Sequence, residues 1–273
     1  MSELTKINFQ NLALSESSYD EAVFNKLRVD CENEKTGNLT GVDCPICKNR
    51  GKIWINREGD KPFPQDCKCM PMRRCVWRME DSGLKDVIRS LTFEKFRAEE
   101  PWQQAMLASA RDYAKNPDGW FLLCGQSGSG KSHLCTAICR ELLLKEKQVV
   151  YASWRKEIGE IKGMSLDNPK RGARMDELKN AQILYLDDLF KCGADANGVV
   201  RPTSADISLT IEILNDRYMG RKPTLISTEF TPDQLLKLDE SVGGRILEMA
   251  GAHAMTIGKD TRRNYRLRGM KIL

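Results

Sequence analysis

The stretch Gly125-Gln126-Ser127-Gly128-Ser129-Gly130-Lys131-Ser132 has the form G-x4-G-K-S and sits between two segments of different period. Ahead of it, Trp120-Phe121-Leu122-Leu123-Cys124 is a short continuous apolar run, the pattern of a strand buried on both faces. Behind it, residues 132–144 carry apolar side chains at helical spacing. This order of strand, glycine loop and helix constrains the fold more than any other feature. A buried strand feeding a crossover helix belongs to a parallel sheet with helices on both faces. The glycines let the loop curl until successive backbone N–H groups point inward at phosphate oxygens, at the positive end of the helix. Lys131 adds a charge for the β and γ phosphates, and the Ser132 hydroxyl is placed to ligate Mg²⁺. The motif therefore predicts a phosphate-binding P-loop for ATP made by Gly125, Gln126, Ser127, Gly128, Ser129, Gly130, Lys131 and Ser132, with His133 beside it.

Further apolar runs at 148–154, 181–186, 223–229 and 253–257 read as strands. Helices are expected at 102–114, 155–162, 204–218 and 231–238, and a polar loop at 163–174. The run from 181 ends in Asp187-Asp188, at the carboxyl end of its strand, where open α/β sheets gather ligands. Asp187 is expected to hold the Mg²⁺, directly or through water, and Asp188 to orient or deprotonate the attacking water. The strand at 223–229 is expected to insert next to the P-loop strand, so that polar groups at its tip sense the γ-phosphate.

Two cysteine pairs, Cys44-Pro45-Ile46-Cys47 and Cys67-Lys68-Cys69, flank a strand-like segment at 51–55 and a turn at Glu58-Gly59-Asp60. A hairpin there would bring Cys44, Cys47, Cys67 and Cys69 together as a four-thiolate structural Zn²⁺ site, with Cys31 or Cys75 as alternative ligands. Four thiolates leave no open coordination position, so the cluster is expected to be structural. Ten cysteines in 273 residues do not resemble a short secreted disulfide scaffold, and free thiols or metal ligands in a reducing compartment are expected. No apolar run approaches the roughly 20 residues that cross a bilayer, and the first residues lack the apolar core of a signal peptide. The expectation is a cytoplasmic protein with no membrane partner. Residues 1–100 carry 17 Lys/Arg against 17 Asp/Glu, whereas 259–273 carry six against Asp260 alone, which equals the whole net charge of +5. That basic tail suits either phosphate groups or a solvated terminus.

These motifs resemble the AAA+ ATPases, and within them the DnaC/DnaI-type loaders of the replicative DNA helicase, over about residues 91–273. The carriers are Leu91-Thr92-Phe93-Glu94-Lys95-Phe96, the P-loop, the segment 183–190 with its paired aspartates, 223–230, Gly244-Arg245-Ile246, and Asn264-Tyr265-Arg266-Leu267-Arg268. A cysteine-rich module ahead of the ATPase also fits that family. The resemblance implies a P-loop AAA+ parallel sheet sandwiched by helices, with no or minimal C-terminal lid, behind a small helical and zinc-binding module. It implies an N-terminal partner-binding helical segment at 1–40, a cysteine module at 41–78, a linker at 79–102 and an ATPase domain at 103–273. Arg245 matches the arginine finger that acts on a neighbouring subunit's ATP, and Arg266 matches the sensor-2 position. Phe93 and Phe96 would cover the adenine. Glu229 falls where the family's sensor-1 is usually Asn, an acceptor that would repel phosphate unless it bound water or Mg²⁺. The implied partners are the hexameric replicative helicase, single-stranded DNA and further copies of the chain. Two other readings remain open here: a transposition helper ATPase of the IstB kind, and a small-molecule P-loop kinase.

Overall fold

The computed structural model describes residues 20–40, 42–57, 60–81, 90–192 and 201–267. The chain divides into two compact units, 1–70 and 71–273. In the first, helix α1 (Glu21–Glu34) starts at Asp20, whose carboxylate accepts from the Ala22 and Val23 amides. Its far end docks on an antiparallel hairpin of β1 (Lys52–Ile55) and β2 (Phe63–Asp66). Asn33 fixes this contact by bonding the Trp54 carbonyl at 2.9 Å and the Trp54 amide at 2.8 Å. The hairpin expected between the cysteine pairs is thus present, while Glu58-Gly59 of its turn lies outside the described residues.

Helix α2 (Met70–Asp81) leads into the second unit. There follow α3 (Pro101–Lys115), β3 (Trp120–Gly125), α4 (Lys131–Leu144), β4 (Val149–Ser153), α5 (Trp154–Gly163), α6 (Pro169–Asn180) and β5 (Ile183–Leu189). The unit continues with α7 (Ser204–Met219), β6 (Thr224–Thr228), α8 (Pro232–Leu238), α9 (Glu240–Ala250) and β7 (Ala254–Ile257). The five strands form one parallel sheet in the order β4-β5-β6-β3-β7. Because side chains alternate along a strand, β3 serves two cores. Phe121 and Leu123 pack with Tyr113, Leu134 and Ile138 of α3 and α4, whereas Trp120, Leu122 and Cys124 pack with Ile158, Ile213 and Ile246 on the other face. Burial on both faces explains why the P-loop strand is apolar at every position, and β6 lies between β5 and β3 as expected.

Three sequence expectations are corrected. The polar loop at 163–174 is largely replaced by α6: Asn168 caps it by accepting from the Lys170 amide, Pro169 fills its first position, and Met175 and Leu178 anchor it. Trp154 starts α5 rather than ending β4, and its indole N–H donates to Thr210 Oγ1 at 2.9 Å. Residues 71–78 and 79–102, assigned to the cysteine module and a linker, contribute Cys75, Met79, Phe93 and Phe96 to the core of the second unit. Of that linker, residues 82–89 lie outside the description, as do 1–19 of the N-terminal segment, most of the 190–202 loop and Arg268 and Lys271 of the basic tail.

Arg217, fully buried at the end of α7, ties the layers together with no carboxylate partner among the described residues. Its guanidinium donates to the Leu178 and Ala181 carbonyls at the end of α6, at 3.1 and 2.9 Å. It also donates to Thr224 Oγ1 at 2.8 Å and the Pro223 carbonyl at 2.6 Å at the start of β6. Arg217→Ala strands several buried acceptors and is expected to cost about 3 kcal/mol of stability. Arg217→Lys should recover only part, since one ammonium cannot reproduce the planar fork. Urea unfolding checks this, and a loss below about 1 kcal/mol for Arg217→Ala would contradict the assignment.

Candidate nucleotide site and cysteine cluster

β3 ends at Gly125 and α4 begins at Lys131, so the P-loop spans the gap between a strand end and a helix N-terminus. Gly125 sits at φ 100°, and a Cβ there would lie 2.1 Å from the Ile257 carbonyl oxygen; at Gly128, φ 71°, it would lie 1.9 Å from Asn264 Oδ1. Only glycine fits either position. The Lys131 ammonium folds back on the loop, donating to the Gly125 and Gln126 carbonyls at 2.9 and 2.7 Å. Burial lowers its pKa, opposed by the negative charges of Glu229 and Asp188. Ser129, also buried, closes the loop by donating to the Gln126 carbonyl at 2.9 Å.

The loop joins the sheet through Ser132, whose hydroxyl donates to Asp187 Oδ1 at 2.9 Å. Three strands converge on the same carboxylate. Tyr185 of β5 donates to Oδ1 at 2.6 Å, Ser227 of β6 to Oδ1 at 2.5 Å, and Tyr151 of β4 to Oδ2 at 3.1 Å. Burial and the Asp187 charge hold the Tyr185 phenol protonated, with its pKa well above the ordinary value, so it remains a donor. Sequence reasoning found Ser132 and Asp187 but missed Tyr151, Tyr185 and Ser227. The available signal was Tyr185 two residues before Asp187, which puts both on one face of the strand.

Asp188 lies where the strand bends. The β5–β6 register shifts between Leu186 and Leu189, and Asp188 and Phe190 have φ 55° and 63°, in the left-handed region. The turn is held by Phe190, packed 5.4 Å from the Trp154 ring and 6.0 Å from Phe230, and by the Asp188 amide donating to Ser227 Oγ at 3.0 Å. Burial, then the neighbouring Asp187 charge, raises the Asp188 pKa. Lys191 opposes this, its ammonium 3.0 Å from Asp188 Oδ2 and 3.1 Å from Glu229 Oε1. Burial would raise the Glu229 pKa, but a hydrogen bond from Ser127 and the Lys191 charge hold it below the ordinary value. Glu229 therefore reaches the P-loop with a counter-ion that sequence reasoning did not identify.

The C-terminal segment reaches the same loop. The Tyr265 amide donates to the Gly128 carbonyl at 2.9 Å, and Asn264 Oδ1 fills the space beside the Gly128 Cα. The Tyr265 hydroxyl donates to the Arg97 carbonyl and accepts from Gln103 Nε2, both at 2.5 Å. Through residue 267 this segment forms two short 3-10 turns rather than a helical lid, and they bring exposed Arg266 within two residues of the P-loop contact. His133 is engaged away from the phosphate cradle: its Nε2–H donates to the Thr92 carbonyl at 2.8 Å, and its ring meets Phe96 edge-on at 5.2 Å. Phe96 lies against Gly130, whereas Phe93 lies under Arg111; both belong to the core. Arg245 bonds Asn215 and stacks 5.5 Å from the Tyr218 ring, so its contacts among the described residues lie on α7, not on its own P-loop.

In the first unit the Sγ atoms of Cys44, Cys47, Cys67 and Cys69 all lie within 4.8 Å of one another and are buried. Cys44 and Cys67 are 3.8 Å apart, and Cys47 and Cys69 3.7 Å. Thiolates at about 2.3 Å from a tetrahedral Zn²⁺ stand about 3.8 Å apart, so the set fits that ion. Burial opposes ionisation of Cys47, but the Gly51 amide, donating to its sulfur at 3.3 Å, and the other thiols bring its pKa down to about 7. Cys31 is exposed on α1 and Cys75 packs in the core of the second unit, so neither replaces a member of the cluster.

A five-stranded parallel sheet with β6 inserted beside the P-loop strand and acidic residues at the end of β5 defines the second unit as a P-loop domain of the AAA+ class. No protein-family model matches the chain. It is 31% identical over 240 residues to the phage-like element PBSX protein XkdC of Bacillus subtilis, covering 84% of this chain and 88% of that one. It is 27% identical over 206 residues to the replicative helicase loader DnaC of Escherichia coli K12, covering 71% and 77%. The crystal structure of the DnaC helicase loader superposes with a TM-score of 0.53 at 20% identity, over 63% of this chain and 98% of that one. The chain belongs to the DnaC-type helicase loader family. No helix among the described residues is long and apolar enough to cross a membrane.

The cysteine geometry yields a direct test. Metal analysis is expected to find about one zinc per chain. Cys67→Ser or a strong chelator should release it and open the 1–70 unit to protease, with the melting transition of 71–273 preserved. A metal-free protein whose first unit resists protease equally would contradict this.

Proposed function

We propose that this chain is an ATP-dependent helicase loader, which binds the hexameric replicative DNA helicase and helps place it on single-stranded DNA at replication initiation. The observation that carries the reading is the Ser132–Asp187 hydrogen bond, which sets the two expected Mg²⁺ ligands side by side at the P-loop of a DnaC-type chain. On this reading Lys131 and the Gly125–Gly130 amides hold the phosphates, Ser132 and Asp187 hold the Mg²⁺, and Asp188 activates the water. The magnesium would neutralise charge on the β and γ oxygens. Lys131 would exchange its two carbonyl partners for phosphate oxygens, a move open to a long side chain whose present acceptors are backbone groups of the same loop. Arg266, on the segment clasping Gly128, would approach the nucleotide as sensor 2.

Arg245 faces α7 and is held by one neutral amide and one aromatic ring. That position supports a finger presented to a neighbouring copy's ATP. The chains would therefore self-associate through their ATPase domains, with hydrolysis slow alone and raised by partner or DNA. Residues 1–90 would meet the helicase, and α1 supports this by exposing Val23, Phe24 and Leu27 along one face. Zinc in the cysteine cluster would keep that segment folded, in the cytoplasm. The cluster and the kinship with DnaC favour this reading over a transposition helper or a kinase.

Lys131→Ala is expected to abolish ATP binding in calorimetry. Asp188→Asn should keep binding but lower turnover by about a hundredfold or more, measured with helicase and DNA present. Undiminished turnover would remove Asp188 from the water-activating role. Mixing Arg245→Ala with Asp188→Asn should restore part of the lost activity, because each variant supplies what the other lacks; failure of such mixtures would leave Arg245 a structural residue. Co-purification with the host's replicative helicase tests the larger claim. A complex lost on deleting residues 1–90 is the expected result, and no complex with or without ATP would overturn loading.

A further inference from the structure

Lys191 has no part in the roles above, yet its ammonium is the group that bridges the proposed water-activating carboxylate and the glutamate at the sensor-1 position. Its backbone is fixed: the Lys191 amide donates to the Asp188 carbonyl at 2.9 Å, and the adjacent Phe190 is 1% exposed in its aromatic pocket. Its head group is not. The side chains of Lys191, Asp188 and Glu229 are 40%, 37% and 37% exposed, so the bridge is open to solvent. A lysine is a point charge on a four-carbon stem and can be re-aimed without moving the backbone. Glu229 in turn touches the P-loop through Ser127, which places the bridge beside the loop that would bind the β and γ phosphates.

We propose that Lys191 is a γ-phosphate-binding cation supplied by the same chain, held beside the P-loop by Asp188 and Glu229 and turning to the γ-phosphate when Mg²⁺-ATP enters. The inference rests on the ATP site proposed above. Paired with both, Lys191 screens two carboxylates that would otherwise repel each other and any incoming phosphate. An arriving γ-phosphate offers the ammonium a doubly charged, three-oxygen acceptor in place of two single carboxylates. Transfer frees Asp188 to meet water only when a third phosphate is present. ADP, lacking that group, leaves the bridge closed. The same cation would thereby distinguish triphosphate from diphosphate and couple that distinction to Asp188.

Titration calorimetry on the full chain, with Mg²⁺ and either ADP or the non-hydrolysable β,γ-methylene analogue of ATP, tests this. Lys191→Met should weaken the triphosphate analogue about tenfold and ADP by less than about twofold, and Lys191→Arg should keep most of the preference. Loss of screening alone would also weaken the triphosphate, so the deciding variant is Lys191→Met with Glu229→Gln. If Lys191 binds the γ-phosphate, neutralising Glu229 leaves the preference lost; if Lys191 only screens, the preference returns and the proposal is overturned. Equal changes for both nucleotides, or none, in a variant that melts like the wild type would also overturn it. A wild-type protein that binds neither nucleotide would instead sink the ATP-site reading, and this proposal with it.

Discussion

A buried carboxylate needs hydrogen-bond donors, and in this protein Asp187 collects them from four elements. Ser132 brings the first turn of α4, Tyr151 brings β4, Tyr185 brings β5 itself and Ser227 brings β6. Each hydroxyl needs its element in register to reach the same two oxygens, so the sheet's strand order and the depth of the P-loop helix are tied to one side chain. Three of the four donors meet Oδ1, which leaves most of the acceptor capacity of Oδ2 for a further partner. The arrangement that stabilises the fold is also the one that would present an oxygen to a cation.

The other side of the P-loop is closed by residues 264 and 265. Asn264 and Tyr265 lie directly on Gly128, and Tyr265 links that loop to Arg97 and Gln103. Gln126 is held from the same direction, its amide donating to the Ile257 carbonyl at 3.0 Å while its Oε1 accepts from the Asp260 amide at 3.1 Å. The loop is thus supported on one flank by the tail and on the other by Asp187. That support explains the absence of a Cβ at Gly125 and Gly128, where strand β7 and the tail approach within van der Waals distance.

The first unit is stabilised by different means. Its described residues form two four-residue hairpin strands and a helix α1 that buries no residue completely, so the apolar core they make is too small to fix them. Four buried thiols with the spacing of a tetrahedral Zn²⁺ site would, with that ion bound, supply what the core lacks.

Much of the second unit is legible in its residues because its signals are local. A glycine loop between an apolar strand and a helix specifies its own geometry, and the paired aspartates mark a strand end by following an apolar run. Asn168-Pro169 is local too, yet it falls within the polar loop expected at 163–174 and instead caps and opens α6, since cap and loop residues share the same chemistry. What could not be read is set by approach across the fold. Lys191 meets Glu229 from 38 positions away, Tyr151 meets Asp187 across 36, and Tyr265 meets Gly128 after the whole sheet has been laid down. By itself the sequence determined the P-loop, the sheet class, the four zinc-competent thiols and the paired acids, because each depends on neighbours a few residues apart. Only the tertiary structure decided which groups hold Asp187, which cation faces Asp188 and Glu229, and where residues 264 and 265 lie, because these contacts exist only once segments distant in sequence are packed against one another.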